Sequence, residues 1–285
     1  MTGPCAFLSS ATPRRGEKGA WVLSMVVLTQ SIRPQFETVV SVSARAAEEF
    51  ARCGLRYDKV FRRTRRASSE PALFGLHEHA VLKRFNDALI AGEDPDIDAL
   101  AEQAAPRLLN GTANGDYTTR TAATLRGWRT LLHEQGIRLI DAEVDLSTAI
   151  HPVLGHERVG LVCSARIDAL GYRDATLLAL DLKPQVNALA LEESVAAWVQ
   201  WHVTSARYPD TPVEVAEVAA ARGVFASLTP SEEACARHRA TVRALAVAVA
   251  TRQFSATPGP HCRFCDYRSQ CGAYAERQRV SGDTF

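Results

Sequence analysis

The stretch LLALDLKPQ, residues 177–185, decides the fold that the sequence predicts. Its apolar run Leu177–Leu180 is typical of a strand that enters a core, and Pro184 ends that strand. Because residues two apart in a strand share a face, Asp181 and Lys183 lie together, opposite the leucines. Taken alone, such a pair is more often an ion pair at a strand end than an active site.

The preceding segment CSARIDALG, residues 163–171, supplies a second carboxylate. Strands are predicted over 159–170 and 176–182, with a hairpin turn near Gly171–Asp174. Such a hairpin brings Asp168 close to Asp181. Two carboxylates that meet at strand ends form a hard-oxygen site for Mg²⁺ or Mn²⁺, where a neighbouring lysine orients the attacking water.

Helices surround these strands. Amphipathic periodicity predicts helices over 40–61, 72–91, 97–109, 119–135, 189–207 and 230–251. A first strand is predicted over 137–147, and residues 212–226 fit a strand or a helix. Helices before and after a strand meander predict an α/β or an α+β fold. Of these two we expect the α/β fold, with a central mixed β-sheet flanked by helices.

The composition narrows the class of protein. The 285 residues are 46% hydrophobic and 23% charged, which is typical of a folded globular chain and excludes wholesale disorder. No apolar run approaches the roughly 18 residues that span a bilayer, so we expect no membrane partner. We expect residues 1–38 to be a flexible leader, 39–275 to form one domain and 276–285 to be a tail.

Three of the seven cysteines are closely spaced, as Cys262-x2-Cys265-x5-Cys271. This spacing favours a zinc or iron–sulfur site in a reducing compartment, and therefore a cytoplasmic protein, over a disulfide framework. Three thiolates leave one ligand position open. The candidates for it are Cys5, Cys53, Cys163, Cys235 and His261.

A basic run follows the first predicted helix. Between Arg52 and Arg66 the chain carries seven lysines and arginines against one acid, Asp58. Such a run is typical of a solvated surface and also of a phosphate-binding patch. Glu143, on the first predicted strand, is interpreted as a solvent-facing residue, with a site carboxylate as the alternative.

Taken in order, these motifs resemble the PD-(D/E)XK nuclease superfamily, and within it the RecB-like branch that carries an iron–sulfur cluster. That branch includes AddB-type helicase–nuclease subunits and CRISPR-associated adaptation exonucleases. The resemblance covers about residues 40–275. The matching motifs are SVSARAAEEFARCGLRYDKVFRR from Ser41, Gly75-x3-His79, Ala165-Arg166-Ile167-Asp168, Asp181-Leu182-Lys183 and Cys262-x2-Cys265-Asp266-Tyr267-x3-Cys271.

The resemblance implies a restriction-endonuclease-like fold and a metal-dependent DNA nuclease, expected to be an exonuclease in DNA repair, recombination or CRISPR-type processing. Asp168, Asp181 and Lys183 would be the catalytic residues. The ligands of Mg²⁺ or Mn²⁺ would be His79, Asp168, Asp181 and the Leu182 carbonyl.

The resemblance also selects Cys53 as the distant fourth cysteine. With Cys262, Cys265 and Cys271 it would bind a 4Fe–4S cluster, for which Zn²⁺ is the alternative, and so join the N- and C-terminal segments. The expected partners are single-stranded DNA or duplex ends, and a separate helicase or CRISPR-adaptation proteins.

The expected DNA contacts are Arg62, Arg63, Arg65, Arg66 and Gln200. The family's Gln-x3-Tyr helix is not kept, because Ser194 and Trp198 stand at those positions. The alternative from another class is a non-catalytic, zinc-dependent nucleic-acid-binding module in which the Asp181–Lys183 pair has no catalytic role.

Overall fold

A computed structural model describes residues 36–62, 70–104, 115–150, 156 and 158–281. Six strands form one mixed sheet. The strands are β1 (Thr38–Ser43), β2 (Ile137–Ile150), β3 (Val159–Arg173), β4 (Thr176–Leu182), β5 (Val213–Ala219) and β6 (Val224–Leu228). The α/β fold with a central mixed sheet is therefore confirmed, and it is consistent with a restriction-endonuclease-like architecture.

Helices cover the sheet. They are α1 (Ala44–Arg52), α2 (Gly54–Arg56), α3 (Glu70–Ile90), α4 (Ile97–Ala104), α5 (Gly115–Glu134), α6 (Ala188–Leu191), α7 (Val195–Arg207), α8 (Glu232–Thr251) and α9 (Gly272–Ser281). Helix α2 continues into a π-helical turn, Tyr57–Phe61, and 3₁₀ turns occupy Ala220–Arg222, Pro260–Phe264 and Arg268–Gln270. Among the described residues, no helix is both long and apolar enough to cross a bilayer.

Strand β3 organises the sheet because it has three partners. Along one edge it pairs antiparallel with β2 over nearly its whole length. Along the other edge it pairs in parallel with β1 as far as Ser164, and antiparallel with β4 from Ala169 onward. Beyond β4, β5 pairs in parallel and β6 antiparallel to β5. Residues 165–168, here called the edge gap, face neither β1 nor β4.

The core has one apolar cluster on each side of the sheet. On one side Trp198 of α7 and Leu245 of α8 pack on β-strand residues such as Leu161. On the other side Phe85 of α3 and Trp128 of α5 pack on residues of β4 and β5. Both faces of β4 are thus covered, which explains why its burial is continuous and its sequence almost purely apolar.

Local sequence signals fix several helix ends. Ser43, Ser194 and Ser231 are N-caps of α1, α7 and α8, and each hydroxyl accepts a backbone N–H of the first turn. Gly127 of α5 lies against the turn after β5, where a Cβ would stand 2.0 Å from the Ala220 carbonyl oxygen. Only glycine allows this close approach of helix and sheet.

The single helix predicted over 40–61 is wrong at its start. Residues Thr38–Ser43 form strand β1, and the helix begins at Ala44. The valines of β1 are buried by parallel pairing with β3, about 120 residues further along the chain. A local periodicity cannot show such a pairing, and the β-branched residues favour the strand once it is available.

The other predicted elements lie close to those observed. Strands β2 and β3 extend a few residues beyond their predicted ends, and residues 213–219 form a strand. The predicted leader lies outside the described residues up to position 35, and the boundary expected at 275 falls within α9. The end of the helix predicted over 97–109 also lies outside them.

Candidate active site and cysteine cavity

Asp168 lies in the edge gap of β3, where the strand has no neighbour on one side. Because β4 ends its ladder at the pair Ala169–Leu180, the Leu182 N–H has no strand carbonyl to bind. It donates instead to Oδ2 of Asp168 at 2.7 Å. The carboxylate therefore takes the place of a strand carbonyl as the hydrogen-bond acceptor, and this bond holds the end of β4 against β3.

Glu143 stands opposite Asp168 on β2, between the pairs Ala142–Ala169 and Val144–Ile167. Its φ of +54° is in the left-handed region, which is unusual for a residue with a Cβ. Its side chain is only 14% exposed. The interpretation of Glu143 as a solvent-facing residue is therefore wrong. A bulge near Ile140 and the left-handed backbone turn the carboxylate into the site.

His79 reaches the two carboxylates from helix α3. Its Nδ1 lies 3.0 Å from Asp168 Oδ1 and 3.7 Å from Glu143 Oε1. The helix is held in place beside it, because Thr124 of α5 donates a hydrogen bond of 2.7 Å to Glu78. Ligand atoms of His79, Glu143 and Asp168 all lie within 4.8 Å of one another.

Asp181 and Lys183 complete the polar site at the end of β4. The Lys183 ammonium lies 2.6 Å from Asp181 Oδ2, and the Asp181 residue is only 8% exposed. On the far side, Asp181 pairs with Glu217 of β5. Four adjacent strands thus each bring a carboxylate to one level of the sheet: Glu143, Asp168, Asp181 and Glu217.

Burial and like charge set the protonation of these groups. Burial, together with the nearby Asp181 charge, raises the pKa of Asp168 to about 6 despite its bond to His79. Hydrogen bonds to Asp168 and Glu143 raise the pKa of His79 to about 10. Burial lowers the pKa of Lys183, but attraction to Asp181 outweighs it, so the net shift is upward. Burial also raises the pKa of Glu217.

This donor set fits a divalent cation. Two carboxylates and an imidazole converge on one point, and crowded carboxylates repel one another unless a cation or proton lies between them. In the protein without metal, the imidazolium of His79 fills that role. Oxygen ligands suit Mg²⁺ and Mn²⁺, and the added imidazole favours Mn²⁺.

A single cavity between the N- and C-terminal parts of the domain is lined by four cysteines: Cys53, Cys262, Cys265 and Cys271. The cavity is also lined by Arg56 and His261, and Arg56 forms an ion pair with the buried Glu49. Two of the sulfurs accept backbone hydrogen bonds: Cys53 from Thr257 N–H and Cys262 from Gly259 N–H, both at 3.4 Å. We call this set the cysteine cavity.

Two further described cysteines, Cys163 and Cys235, are not among the residues that line this cavity. Cys163 is buried in β3, where burial raises the pKa of its thiol to about 12, and Cys235 is buried in α8. Cys5 lies outside the described residues.

The predicted DNA-contacting residues are only partly described. Arg62 is exposed at the end of the π-helical turn, whereas Arg63, Arg65 and Arg66 lie outside the described residues. Gln200 is 7% exposed within α7, so a contact with DNA there stays a prediction.

Sequence reasoning missed Glu217, which lies in the apolar segment VEVAEV, residues 213–218, three residues after Glu214 and therefore on the opposite face of the strand.

The sheet and its carboxylate cluster define the class of protein as a nuclease-like α/β fold with a candidate metal site. A model of the PD-(D/E)XK nuclease superfamily matches residues 41–272, and the chain belongs to this superfamily. Its members are in general metal-dependent nucleases that use Mg²⁺ or Mn²⁺.

Among solved structures, one titled "Crystal structure of SSO0001" is similar at 13% identity and a TM-score of 0.37. The similarity covers 88% of this chain and 97% of the chain of that structure. A search of curated proteins gave no match.

Proposed function

We propose that this chain is a Mg²⁺- or Mn²⁺-dependent deoxyribonuclease that hydrolyses phosphodiester bonds at the edge gap of β3. The observation that carries the proposal is the convergence of His79, Glu143 and Asp168 within 4.8 Å, beside the Asp181–Lys183 pair. Membership of the superfamily supports the same activity.

The roles follow from the donor atoms. His79, Glu143 and Asp168 would hold the ion, with Asp181 and the Leu182 carbonyl as further ligands on the β4 side. A bound ion supplies charge neutralisation at the phosphate and lowers the pKa of a bound water. The Asp168–Leu182 hydrogen bond keeps the two strands at a fixed separation, so the ligands are positioned by the sheet itself.

Lys183 acts as a hydrogen-bond donor in this proposal. Its contact with Asp181 keeps the ammonium protonated at neutral pH, so it cannot serve as a general base. A protonated lysine orients the attacking water through the oxygen lone pair and stabilises negative charge that develops on the phosphate. Such donors act on the transition state more than on the bound substrate.

We further propose that Cys53, Cys262, Cys265 and Cys271 hold a 4Fe–4S cluster that joins the two ends of the domain. Around one tetrahedral zinc, with Zn–S of about 2.3 Å, neighbouring sulfurs stand about 3.8 Å apart. A 4Fe–4S cluster holds its four thiolates further apart, because iron and sulfide separate them. The support for either group is that all four cysteines line one cavity.

The pathway rests on the resemblance alone. We propose an exonuclease that acts in DNA repair, recombination or CRISPR-type processing, with a separate helicase or CRISPR-adaptation proteins as partners. Linear and covalently closed circular single strands of equal length test the end requirement. Cleavage of the circle at the linear rate would make the enzyme an endonuclease.

The central test is cleavage of labelled single- and double-stranded DNA with Mn²⁺ by the parent protein and by Asp181→Ala. We expect metal-dependent products from the parent and none above background from the variant. Unchanged cleavage by Asp181→Ala would refute the site. A colourless protein with one zinc per chain and no cleavage would favour the nucleic-acid-binding alternative.

A further inference from the structure

A second charged cavity lies on the surface beyond the cysteine cavity. It has a volume of about 300 Å³ and is lined by Asp58, Lys59, Arg62, Arg252 and Phe254. We call it the basic pocket. It forms where the π-helical turn after α2 meets the C-terminal end of α8. None of its five residues belongs to the carboxylate site or to the cysteine set.

The charge of the basic pocket favours an anion. Three cationic side chains face one carboxylate, and that carboxylate already interacts with two of them: Asp58 lies 3.1 Å from Lys59 Nζ and 3.4 Å from Arg62 Nη1. Arg252 is exposed, and it has no ion-pair or hydrogen-bond partner for its guanidinium among the described residues. The pocket therefore has positive charge that the described part of the chain does not neutralise.

Arg62 is held in one orientation before any ligand arrives. Its guanidinium carbon lies 5.4 Å above the centroid of the Phe254 ring, and Asp58 binds it from its own helical turn. Tyr57 packs against Phe254, with ring centroids 5.9 Å apart, and fixes the ring in turn. A pre-ordered guanidinium binds a phosphate at a smaller entropic cost than a free side chain.

Arg252 is kept at a strained backbone position. It is the C-cap residue of α8 with a φ of +58°, a conformation that glycine or asparagine adopts more easily. Such strain is typical of residues whose side chain has a function. The placement extends the guanidinium beyond the last turn of α8, towards Arg62 and Lys59.

We propose that the basic pocket binds a phosphate group of a DNA strand, with Lys59, Arg62 and Arg252 as its ligands and Phe254 as the residue that positions Arg62. This inference rests on the proposed nuclease function for its choice of DNA.

The test is DNA binding by Asp181→Ala protein in buffer with EDTA, so that it does not depend on cleavage. Fluorescence anisotropy follows a labelled 20-nucleotide single strand over a range of NaCl concentrations. Adding Arg252→Asn should weaken binding about fivefold and reduce the slope of log K against log salt by about 1. Asparagine tolerates the left-handed backbone, so we expect an unchanged or higher melting temperature and no folding defect.

The matched control is Arg129→Gln, which removes an exposed arginine of α5 that pairs with Asp94. Phe254→Leu should weaken binding by about two- to threefold, because Arg62 loses its support. If Arg252→Asn and Lys59→Gln both bind DNA as tightly as Arg129→Gln, with the same salt slope, the proposal is wrong.

Competition separates the sources of the phosphate. Strands with a 5′-phosphate, a 3′-phosphate or hydroxyl ends are compared, with inorganic phosphate as competitor. An Arg252-dependent gain from one terminal phosphate would make the pocket a reader of DNA ends, and equal binding of all strands would make it a backbone site. If the parent protein binds DNA through Arg252 but cleaves none, the proposed nuclease activity is wrong and the proposed phosphate-binding pocket stands.

Discussion

The edge gap and the cysteine cavity both bring distant parts of the chain to one point, but they are built differently. The donors of the edge gap stand on β2, β3 and α3, within regular secondary structure. The cysteines stand on a helix end and on short 3₁₀ turns, joined by few hydrogen bonds. The first site is positioned by the fold, whereas the cluster that we propose at the second would join two parts of the fold.

This difference predicts opposite consequences when each site is damaged. A preformed site can lose its ligand, or a ligating side chain, with little change in stability, because the sheet remains. A site assembled from loops contributes its binding free energy to folding. Changes at the edge gap should therefore affect catalysis more than stability, and changes at the cysteine cavity should affect stability first.

The largest effect is expected from Lys183→Gln, which should lower kcat about 10³-fold, because a donor aimed at the transition state is lost. The melting temperature should change by no more than a few degrees. Mn²⁺ binding, measured by electron paramagnetic resonance, should be kept, because the ligands are unchanged. Lys83→Gln, an exposed lysine paired with Asp87, is the charge-matched control. Loss of Mn²⁺ binding in Lys183→Gln would mean that Lys183 organises the ligands.

The next largest effect is expected from Cys53→Ser. Loss of one ligand of the proposed cluster should lower the free energy of unfolding by ~3 kcal/mol, which corresponds to a drop in melting temperature on the order of 10 °C. Trypsin should then cut at Arg263 and Arg268. Cys163→Ala is the control, because that thiol is buried in the core and outside the cavity. An unchanged protease pattern with Cys53→Ser would contradict a structural role for the cavity.

The sequence predicted those features of the two sites that depend on residues close to one another along the chain. The convergence of Asp168 and Asp181 follows from one hairpin, and its register places them as expected. Strand β1 was missed, and Glu143 was assigned to solvent with the site only as the alternative, for a common reason: each depends on contacts outside the local pattern. The burial of β1 needs β3, and the inward turn of Glu143 needs a bulge that shifts the register of β2.

Cys53 also shows that a local sequence pattern cannot predict a contact between distant parts of the chain. Its sulfur accepts a hydrogen bond from Thr257, a residue 204 positions away. Spacing alone left it as one of five candidates for the fourth ligand, and the family resemblance selected it. The burial of Cys163 and Cys235 in the core now removes two competitors by geometry.

A smaller effect is expected from a change of pH, which should alter the Mn²⁺ affinity of the edge gap only. Metal binding needs a neutral imidazole, while the metal-free His79 has its pKa raised to about 10. Between pH 6 and 8 the Mn²⁺ affinity should therefore rise with pH, by up to about tenfold per unit. Below a pH of about 6, protonation of Asp168 should steepen the loss. Titration of Mn²⁺ at several pH values measures both slopes.

His79→Gln should flatten that pH dependence above pH 6, because no proton is then displaced from the imidazole. The absorbance of the proposed iron–sulfur cluster, followed in the same samples, should not change over this range. A pH slope that is equal in the parent protein and in His79→Gln would show that another group competes with the metal.

The smallest effect is expected from Glu143→Gly, which tests whether the left-handed backbone of Glu143 serves metal binding. Glycine accepts a φ of +54° without penalty, and Glu143→Gly also removes one of the crowded carboxylates. We expect the protein to gain about 1 kcal/mol of stability while its Mn²⁺ affinity falls. Asp174→Gly is the matched control, because Asp174 has a φ of +52° in the turn between β3 and β4 but is not among the ligand candidates. It should gain a few tenths of a kcal/mol without loss of Mn²⁺ affinity. Equal Mn²⁺ binding in both variants would mean that the backbone strain at Glu143 serves the bulge of β2 and not the metal.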